Sequence, residues 1–235
     1  MIKKNKECDL KSCFLCKLCL PEWLPAIGAN RKMFWYKKGA QIFKEGEPLT
    51  GMYFIYQGAL KVHKIWDADK ELIVRFAKKG DIVGHRGLGN EAVYPVSATA
   101  LEDVTVCYID LPFFQASLKV NYSFIYELMM FYASELKESE KNMRNLAHMP
   151  VKGRIVQALL TLQQRFGKDE AGNIDLTFSR QDLASFAGTT YETVFRILNE
   201  LVKENMIALS SKSVLIIDSE SLAQLITNYE LRITS

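Results

Sequence analysis

The sequence predicts an α+β protein with an N-terminal β-roll, one long helix and a C-terminal winged helix-turn-helix. Glycines are dense between residues 39 and 89, where short apolar or alternating runs are separated by turns. After Pro112 the apolar period becomes helical. Nearer the C-terminus two short helical patterns are joined by a glycine, which is typical of a helix-turn-helix.

The bulk properties allow this organisation. With 235 residues and 49% hydrophobic content, the chain is long enough for two ordinary globular domains. No apolar run approaches the ~20 residues that span a bilayer, and no long apolar segment follows the basic N-terminus. We therefore expect a cytoplasmic protein. Residues 151–235 carry 9 Lys/Arg against 10 Asp/Glu, so a nucleic-acid function has to be argued from pattern rather than from charge.

The β-roll is predicted from the runs between the glycines. They are rich in β-branched and aromatic residues, and turn residues bound them on both sides. Such spacing is typical of an all-β roll or barrel of roughly eight short strands. The clearest runs are Met52–Tyr56, Leu60–Ile65, Leu72–Phe76 and Val104–Ile109.

The long helix carries a heptad seam with charged flanks. The seam positions step by four and three residues over about three heptads, and the flanks, which include Glu135 and Lys137, are predicted to be solvated. So narrow a stripe favours a homodimeric coiled coil. The alternative is a helix that packs on its own β-domain, as its aromatic first two turns would allow. The predicted seam consists of Ile125, Met129, Tyr132, Leu136, Ser139, Met143 and Leu146.

Pro150 and Gly153 are predicted to break the chain after this helix. The chain then divides into four segments. We expect a cysteine-rich N-terminal segment (1–24), a β-roll sensor domain (25–118), a dimerisation helix (119–149) and a winged helix-turn-helix domain (150–235).

The helix-turn-helix is predicted from its caps. Ser179 and Asp182 resemble a capping box that begins the first helix. Gly188 can adopt the left-handed conformation that ends it, and Thr189 with Glu192 would cap the second helix. An ordinary αα-hairpin is the alternative, and residues 206–217 predict a hairpin wing. The predicted buried stripes are Leu183 and Ala187 in the first helix, then Val194, Ile197 and Leu201 in the second.

The exposed face of the second helix predicts binding to double-stranded DNA. In the major groove Glu192 would accept a hydrogen bond from cytosine N4, and Arg196 would donate to guanine O6 and N7. Phe195 would touch a thymine methyl group. Hydroxyl groups and helix amides would hold phosphates. The full predicted set is Ser179, Arg180, Thr189, Thr190, Tyr191, Glu192, Phe195 and Arg196.

Four of the five cysteines, Cys8, Cys13, Cys16 and Cys19, fall in one short stretch, and Cys107 lies in the β-region. In a cytosolic protein this bunching indicates a metal or redox site rather than disulfides. Three interpretations stay open. The thiolates bind an iron–sulfur cluster, the clustered four bind zinc, or no metal is bound and the last cysteine is a small buried hydrophobic residue.

Three features together resemble the CRP/FNR family: the glycine-spaced roll (Lys38–Glu47, Met52–Gly58), the long helix and the segment Glu192-Thr-Val-Phe-Arg196-Ile-Leu. The resemblance implies a homodimeric DNA-binding transcription regulator with a cyclic-nucleotide-binding-like roll, which contacts RNA polymerase and is not an enzyme. It also implies that Glu192 and Arg196 read a G·C pair in each half-site. The position of Phe195 is usually small or polar in the family.

The cysteines resemble those of the oxygen-sensing FNR branch, in which an N-terminal cluster and one cysteine on a roll strand ligate a [4Fe–4S] cluster. The resemblance implies an oxygen- or redox-responsive regulator. Its ligands would be Cys13, Cys16, Cys19 and Cys107, with Cys8 as a possible substitute. The spacing departs from the familiar C-x2-C-x5-C, so zinc stays open as the alternative.

Family members that bind cyclic AMP use Gly-Glu-Leu and Arg-Ser for ribose and phosphate. The matching stretch here is Gly84-His85-Arg86, and the Arg-Ser position falls near Tyr94. Loss of the carboxylate and of the phosphate-binding arginine argues against cyclic AMP. Another effector in a pocket of Gly84, His85 and Arg86 is the alternative to metal sensing, and the simplest interpretation of His85 and Arg86 is a surface turn. The other histidines, His63 and His148, lie in different segments, so no metal-enzyme ligand set is formed.

Overall fold

The computed structural model describes residues 10–67, 70–210 and 213–231. It divides into two compact units. Within the described residues, one unit holds 10–66 and 73–137, and the other holds 67, 70–72 and 138–231. No helix in the described part of the chain is long and apolar enough to cross a membrane.

The first unit is built around a β-roll, which a short helix, α1 (Leu24–Asn30), precedes. The strands are β1 (Lys32–Tyr36), β2 (Gln41–Phe43), β3 (Gly51–Gln57), β4 (Leu60–Asp67), β5 (Lys70–Ala77), β6 (Ile82–Val83), β7 (Ser97–Ala100) and β8 (Val104–Asp110). They form two four-stranded sheets, in the orders β1-β8-β3-β6 and β2-β7-β4-β5. The predicted β-roll is therefore confirmed.

The core of the roll is lined by the inward side chains of these strands. Strands β3 and β8 are antiparallel neighbours, with Phe54 opposite Cys107. Phe54 is 1% exposed and Val106 is fully buried, and burial of such apolar surface is the main stabilising contribution. Gly58 turns the chain after β3 at φ +90°, where a Cβ would meet Asp103 O at 2.8 Å, so that only glycine fits.

Two helices follow the roll, α2 (Leu111–Val120) and α3 (Tyr122–His148). Asp110 caps α2 by accepting a hydrogen bond from Phe113 N at 2.9 Å. Phe124 and Leu128 of α3 are buried in the same core as the roll. The first turns of α3 therefore pack on their own β-domain, as the sequence allowed.

The second unit contains α4 (Val151–Phe166), α5 (Arg180–Ala187), α6 (Tyr191–Lys203), the hairpin strands β9 (Ile207–Ser210) and β10 (Ser213–Ile216), and α7 (Ser219–Leu231). This is the predicted winged helix-turn-helix, although residues 211 and 212 of the wing lie outside the described residues. Pro150 separates α3 from α4, as predicted. The predicted break at Gly153 is wrong. Gly153 lies inside α4, where a Cβ would meet Tyr229 Cδ2 at 2.8 Å, so its smallness serves close packing.

Candidate functional site

The helix-turn-helix begins with a complete capping box. Ser179 Oγ accepts a hydrogen bond from Asp182 N at 3.0 Å, and Asp182 Oδ2 accepts one from Ser179 N at 2.9 Å. The predicted start of α5 is thereby confirmed. The helix ends at Gly188, whose left-handed conformation (φ 61°, ψ 50°) also agrees with the prediction.

The turn after α5 is tied to the end of α3. A Cβ on Gly188 would overlap Leu146 Cδ2, so the two segments touch at this point. The Arg154 guanidinium donates to Ala187 O at 2.9 Å, to Gly188 O at 3.1 Å and to Met149 O at 2.9 Å. These carbonyls at helix ends would otherwise have no partner within their own helix. No local sequence pattern indicates this role, because two of the three carbonyls lie 33 and 34 residues away along the chain.

Helix α6 begins one residue later than predicted. Its N-cap is Thr190, whose Oγ1 accepts a hydrogen bond from Thr193 N at 3.3 Å. Thr189 N instead donates to Ala184 O at 3.0 Å and so completes the end of α5. The predicted capping box of Thr189 with Glu192 is therefore wrong.

Helix α6 has two contrasting faces. Val194, Ile197 and Leu201 are at most 2% exposed, as predicted. Glu192 and Arg196 lie on the opposite side, because each residue turns the helix by about 100°, and both are exposed. One face thus fixes the helix in the domain, while the other is exposed to solvent.

The predicted DNA-binding residues come together at the first turns of α5 and α6. Ser179 and Arg180 begin α5, and the other six occupy the turn and the start of α6. The Arg180 guanidinium lies 5.6 Å from the centroid of the Phe195 ring. Arg196 Nη1 lies 2.6 Å from Glu200 Oε1 in an exposed pair, and exposed pairs of this kind contribute little to stability.

Most of the predicted seam on α3 is exposed in the single chain. Ile125, Met129, Leu136 and Met143 are 46%, 57%, 60% and 59% exposed, respectively. Tyr132 differs, because its hydroxyl group donates to the backbone carbonyl of His85 and so lies against its own roll.

The four described cysteines lie in the core of the first unit. Cys13, Cys16, Cys19 and Cys107 are at most 9% exposed, belong to one apolar cluster and are thiols outside any disulfide. Burial, with a smaller contribution from Cys13, raises the pKa of the Cys19 thiol to about 12. Within residues 10–67, 70–210 and 213–231, no three or more His, Cys, Asp or Glu side chains form a group that could hold a metal ion. Cys8 lies outside the described residues.

The cysteine segment packs on the roll and on α3. Phe14 N donates to Gly80 O at 3.0 Å. Gly80 adopts φ +92°, and a Cβ there would meet Ser12 O at 2.6 Å, so glycine is required for this approach. The Phe14 ring lies 5.3 Å from that of Phe131 and 6.0 Å from that of Phe124. Phe14, the residue next to Cys13, is therefore in direct contact with α3.

His85 is buried, so its interpretation as part of a surface turn is wrong. It is 2% exposed, and its ring lies 5.1 Å from that of Phe131 and 5.4 Å from that of Tyr132. Burial first, and then the charges of Arg75 and Arg86, hold its pKa well below the usual 6.5, so the imidazole is neutral. The sequence indicated the turn glycines and the long helix, but it did not indicate that α3 packs over this turn.

A charged cluster joins α3 to the roll beside this imidazole. Glu135 Oε2 lies 2.7 Å from Arg86 Nη2, and Glu135 Oε1 lies 3.6 Å from Arg75 Nε. Arg75 Nη2 lies 3.3 Å from Asp81 Oδ2. The side chains of Arg75 and Glu135 are 5% and 18% exposed, so Glu135 is not the solvated flank residue that the sequence predicted.

Aromatic side chains fill the roll around Tyr94, near the position that the resemblance matches to the phosphate-binding Arg-Ser. Tyr94 is 2% exposed, and its ring lies 4.2 Å from that of Phe43. Its hydroxyl group donates to Gly51 O at 2.9 Å. Arg86, the nearby cation, is engaged by Glu135. This arrangement is poorly suited to a phosphate.

Two family models match the chain: the cyclic nucleotide-binding domain over residues 33–121 and the Crp-like helix-turn-helix domain over residues 153–225. The chain is 30% identical to the transcriptional activator protein anr of Pseudomonas aeruginosa over 95% of both chains. It is 29% identical to the anaerobic regulatory protein of Bacillus subtilis, over 84% of this chain and 83% of that one. The solved structure of FixK2 from Bradyrhizobium japonicum has the same fold, with a TM-score of 0.75, 24% identity, and coverage of 83% of this chain and 96% of that chain.

Proposed function

Because the chain belongs to the CRP/FNR family of DNA-binding transcription regulators, we propose that it acts as a homodimer whose DNA binding responds to oxygen or redox state. The response would run through a [4Fe–4S] cluster ligated by Cys13, Cys16, Cys19 and Cys107. The support that matters most is the burial of all four thiols in one core, on a segment packed against α3. Like its relatives, the chain is a regulator and not an enzyme.

In the DNA complex the exposed face of α6 enters the major groove. Glu192 accepts a hydrogen bond from cytosine N4, and Arg196 leaves Glu200 and donates to guanine O6 and N7 of the same pair. Ser179 and Thr190, at the first turns of α5 and α6, hold backbone phosphates. The packed opposite face keeps α6 fixed, so little ordering free energy is lost on binding.

Dimerisation is supported by the exposed apolar seam on α3. Four seam positions, Ile125, Met129, Leu136 and Met143, are about half exposed or more. A second copy of α3 would cover them in a coiled coil. Two reading helices would then face successive major grooves of a pseudo-palindrome, about 34 Å apart. RNA polymerase is the further partner expected from the family.

The side chains present fit a [4Fe–4S] cluster in their donor chemistry. All four are thiols, and thiolate sulfur is the ligand that such clusters take. Because the pKa of the Cys19 thiol is raised to about 12, this side chain would have to lose its proton in order to serve as a ligand. Zinc, which takes four ligands around a single centre, stays the alternative metal, because its fourth candidate ligand, Cys8, lies outside the described residues.

When bound, the cluster would supply oxygen- and redox-sensitive chemistry. The chain itself supplies the mechanical link. Phe14, beside Cys13, lies against Phe124 and Phe131 of α3. Repacking of the cysteine segment shifts the position of the helix that carries the dimer seam, and with it the population of DNA-binding dimers.

Iron and acid-labile sulfide, measured on protein purified without oxygen, test this function. We expect about four of each per chain, a visible spectrum that bleaches in air, and a loss of both in Cys107→Ser. The matched control is Cys8→Ser, which should keep its iron if Cys8 is a spare. A colourless protein without iron or sulfide, even after reconstitution, would contradict the oxygen-sensing proposal.

A small-molecule effector in the roll is the second candidate, because the family model of the cyclic nucleotide-binding domain matches residues 33–121. An added effector would raise the unfolding temperature. Cyclic AMP is the first compound to test, and the packing of Tyr94 leads us to expect no shift with it.

A further inference from the structure

Asn121 is a buried polar residue at the junction of α2 and α3. It is 1% exposed, and its main chain ends one helix and begins the next. Its N–H donates to Ser117 O at 3.2 Å, and its carbonyl accepts from Ile125 N at 3.1 Å. A buried carboxamide lowers the stability of a fold unless its oxygen and its NH2 group find partners. The partners of this side chain therefore show what it is fixed to.

The side chain joins this junction to the cysteine segment. Asn121 Oδ1 accepts a hydrogen bond from Leu20 N at 2.8 Å, across 101 residues of sequence, and Nδ2 donates to Ser117 O at 2.8 Å. An asparagine before a helix commonly directs its oxygen to the first amides of that same helix. Here the oxygen holds the main chain of a distant segment, at the residue that follows Cys19.

A second contact holds the same segment to α2. Trp23 Nε1 donates to Ser117 Oγ at 3.0 Å, and the indole ring stacks on Phe113 with 5.7 Å between the ring centroids. The Ser117 side chain is fully buried. The chain on the C-terminal side of Cys19 is thus fixed to the helices at two points, and the bond of Asn121 is the nearer of the two.

Cys19 and Cys107 differ in what fixes their positions. Cys107 lies on β8 between β1 and β3, and both ladders hold its main chain. Cys19 lies in a bend, in a segment whose other end is held by the hydrogen bond from Phe14 N to Gly80 O. Loss of the bond from Asn121 would therefore release the chain at Cys19 and leave the roll strands paired.

We propose that Asn121 is a positioning residue for Cys19, whose side-chain oxygen holds the thiol in the place of a cluster ligand and ties that place to the first turn of α3. This inference rests on the proposed iron–sulfur function, which assigns Cys19 as a ligand. Groups that hydrogen-bond around a metal site orient the ligands and hold them in place. Without this bond, the segment opens at Cys19 while the rest of the unit stays folded.

Alkylation of the metal-free full chain tests the positioning without a cluster. Each cysteine reacts with iodoacetamide under native conditions, and mass spectrometry of the peptides gives its rate. Asn121→Leu keeps the approximate size of the side chain and removes its hydrogen bonds. We expect the rate at Cys19 to rise about fivefold, the effect of one ordinary hydrogen bond on a local opening equilibrium. The rate at Cys107 should not change.

A second variant breaks the same bond from its other end. Leu20→Pro removes the N–H donor at a residue whose φ of −56° proline adopts. It should give the same selective rise at Cys19, and it carries the test if Asn121→Leu does not fold. Because both changes remove one bond, the double variant should react no faster than either single variant.

Ser97→Ala is the matched control. Like Asn121, Ser97 is a buried residue whose side-chain oxygen accepts a hydrogen bond from a distant main-chain N–H, that of Glu45 at 3.0 Å. Its loss should leave the rate at Cys19 unchanged, because Ser97 lies on β7 and the bond holds no part of the cysteine segment.

Iron release then tests the link to the cluster. On protein purified without oxygen, the transfer of iron to a chelator should be about fivefold faster in Asn121→Leu than in the parent chain. Ser97→Ala should release iron at the parent rate.

The outcomes separate this inference from the proposed function. An unchanged rate at Cys19 in Asn121→Leu, or a rise that Cys107 shares equally, overturns the inference. If the parent chain still holds about four iron atoms in that case, the cluster proposal stands alone. A parent chain without iron, in which Asn121→Leu still exposes Cys19 selectively, refutes the cluster and leaves Asn121 as the residue that positions the thiol. A further rise in the double variant would overturn the assignment to the bond with Leu20.

Discussion

Replacing Glu135 by glutamine would remove one negative charge from the cluster that joins α3 to the roll. The side chain keeps its size. The amide keeps one oxygen but no charge, so Arg86 loses its ion pair at 2.7 Å and Arg75 loses its pair at 3.6 Å, while Arg75 retains its pair with Asp81. The variant therefore leaves one positive charge in excess within a largely buried cluster, which isolates the electrostatic contribution from that of packing.

The magnitude follows from burial. Removing one partner of a buried ion pair typically lowers the free energy of unfolding by about 3–5 kcal/mol. Glu135 and Arg86 are 18% and 27% exposed, so water screens part of the charge. We expect a loss of about 2–3 kcal/mol in the free energy of unfolding of the first unit.

Urea unfolding measures this loss, at one fixed chain concentration because the proposed dimerisation would add to the apparent stability. Glu138→Gln, an exposed change on the same helix, is the matched control and should stay within about 0.5 kcal/mol. Adding Arg86→Gln to Glu135→Gln should restore part of the stability, since it removes the uncompensated charge. A change below about 0.5 kcal/mol in Glu135→Gln would refute the idea that this cluster holds α3 to the roll.

Three further predictions concern DNA binding, assembly and pH. Arg196→Ala should weaken binding to a site selected from random duplexes by about 1–3 kcal/mol and relax the base preference, as measured by competition with single-base variants. The control Lys168→Ala should change neither the affinity nor the base preference. An unchanged base preference in Arg196→Ala would reject the proposed readout. Leu136→Glu places a charge in the seam and should sediment as a monomer, whereas Lys137→Glu should stay dimeric; a dimeric Leu136→Glu would remove the seam from the interface. His85 has a folded pKa well below 6.5, so the unfolded state binds the proton first, and stability is complete above pH 6.5 and falls below it. His85→Phe should flatten that fall in urea unfolding, and an identical pH slope in both proteins would argue against a buried neutral imidazole.

The predictions that the structure confirmed depend on local sequence signals. The capping box of Ser179 with Asp182 and the left-handed end at Gly188 depend on neighbouring residues only, so the sequence contains them in full. The buried stripe of α6 follows from helical periodicity. The start of α6 was misplaced because Thr189 and Thr190 are equally good caps, and the ending of the previous helix decides between them.

Long-range packing accounts for what the sequence did not predict. Glu135 looked like a solvated flank residue because its partners come from β5 and from the turn after β6. Arg86, in that turn, is 49 residues away along the chain. His85 was assigned to the surface for the same reason. The cysteines were found by their spacing, but their common burial in the core depends on how the segment folds back over Gly80.

The bonds of Arg154 have a practical consequence for dividing this chain. A fragment that started at Pro150, where the chain visibly turns, would keep the guanidinium and the carbonyls of Ala187 and Gly188 but lose that of Met149. It would also uncover Gly188 by removing Leu146. A DNA-binding domain that folds on its own should therefore begin near residue 138, with the last turns of α3 attached. Chimaeras that exchange sensors between regulators of this type should be joined within the helix, upstream of those turns, rather than at the proline.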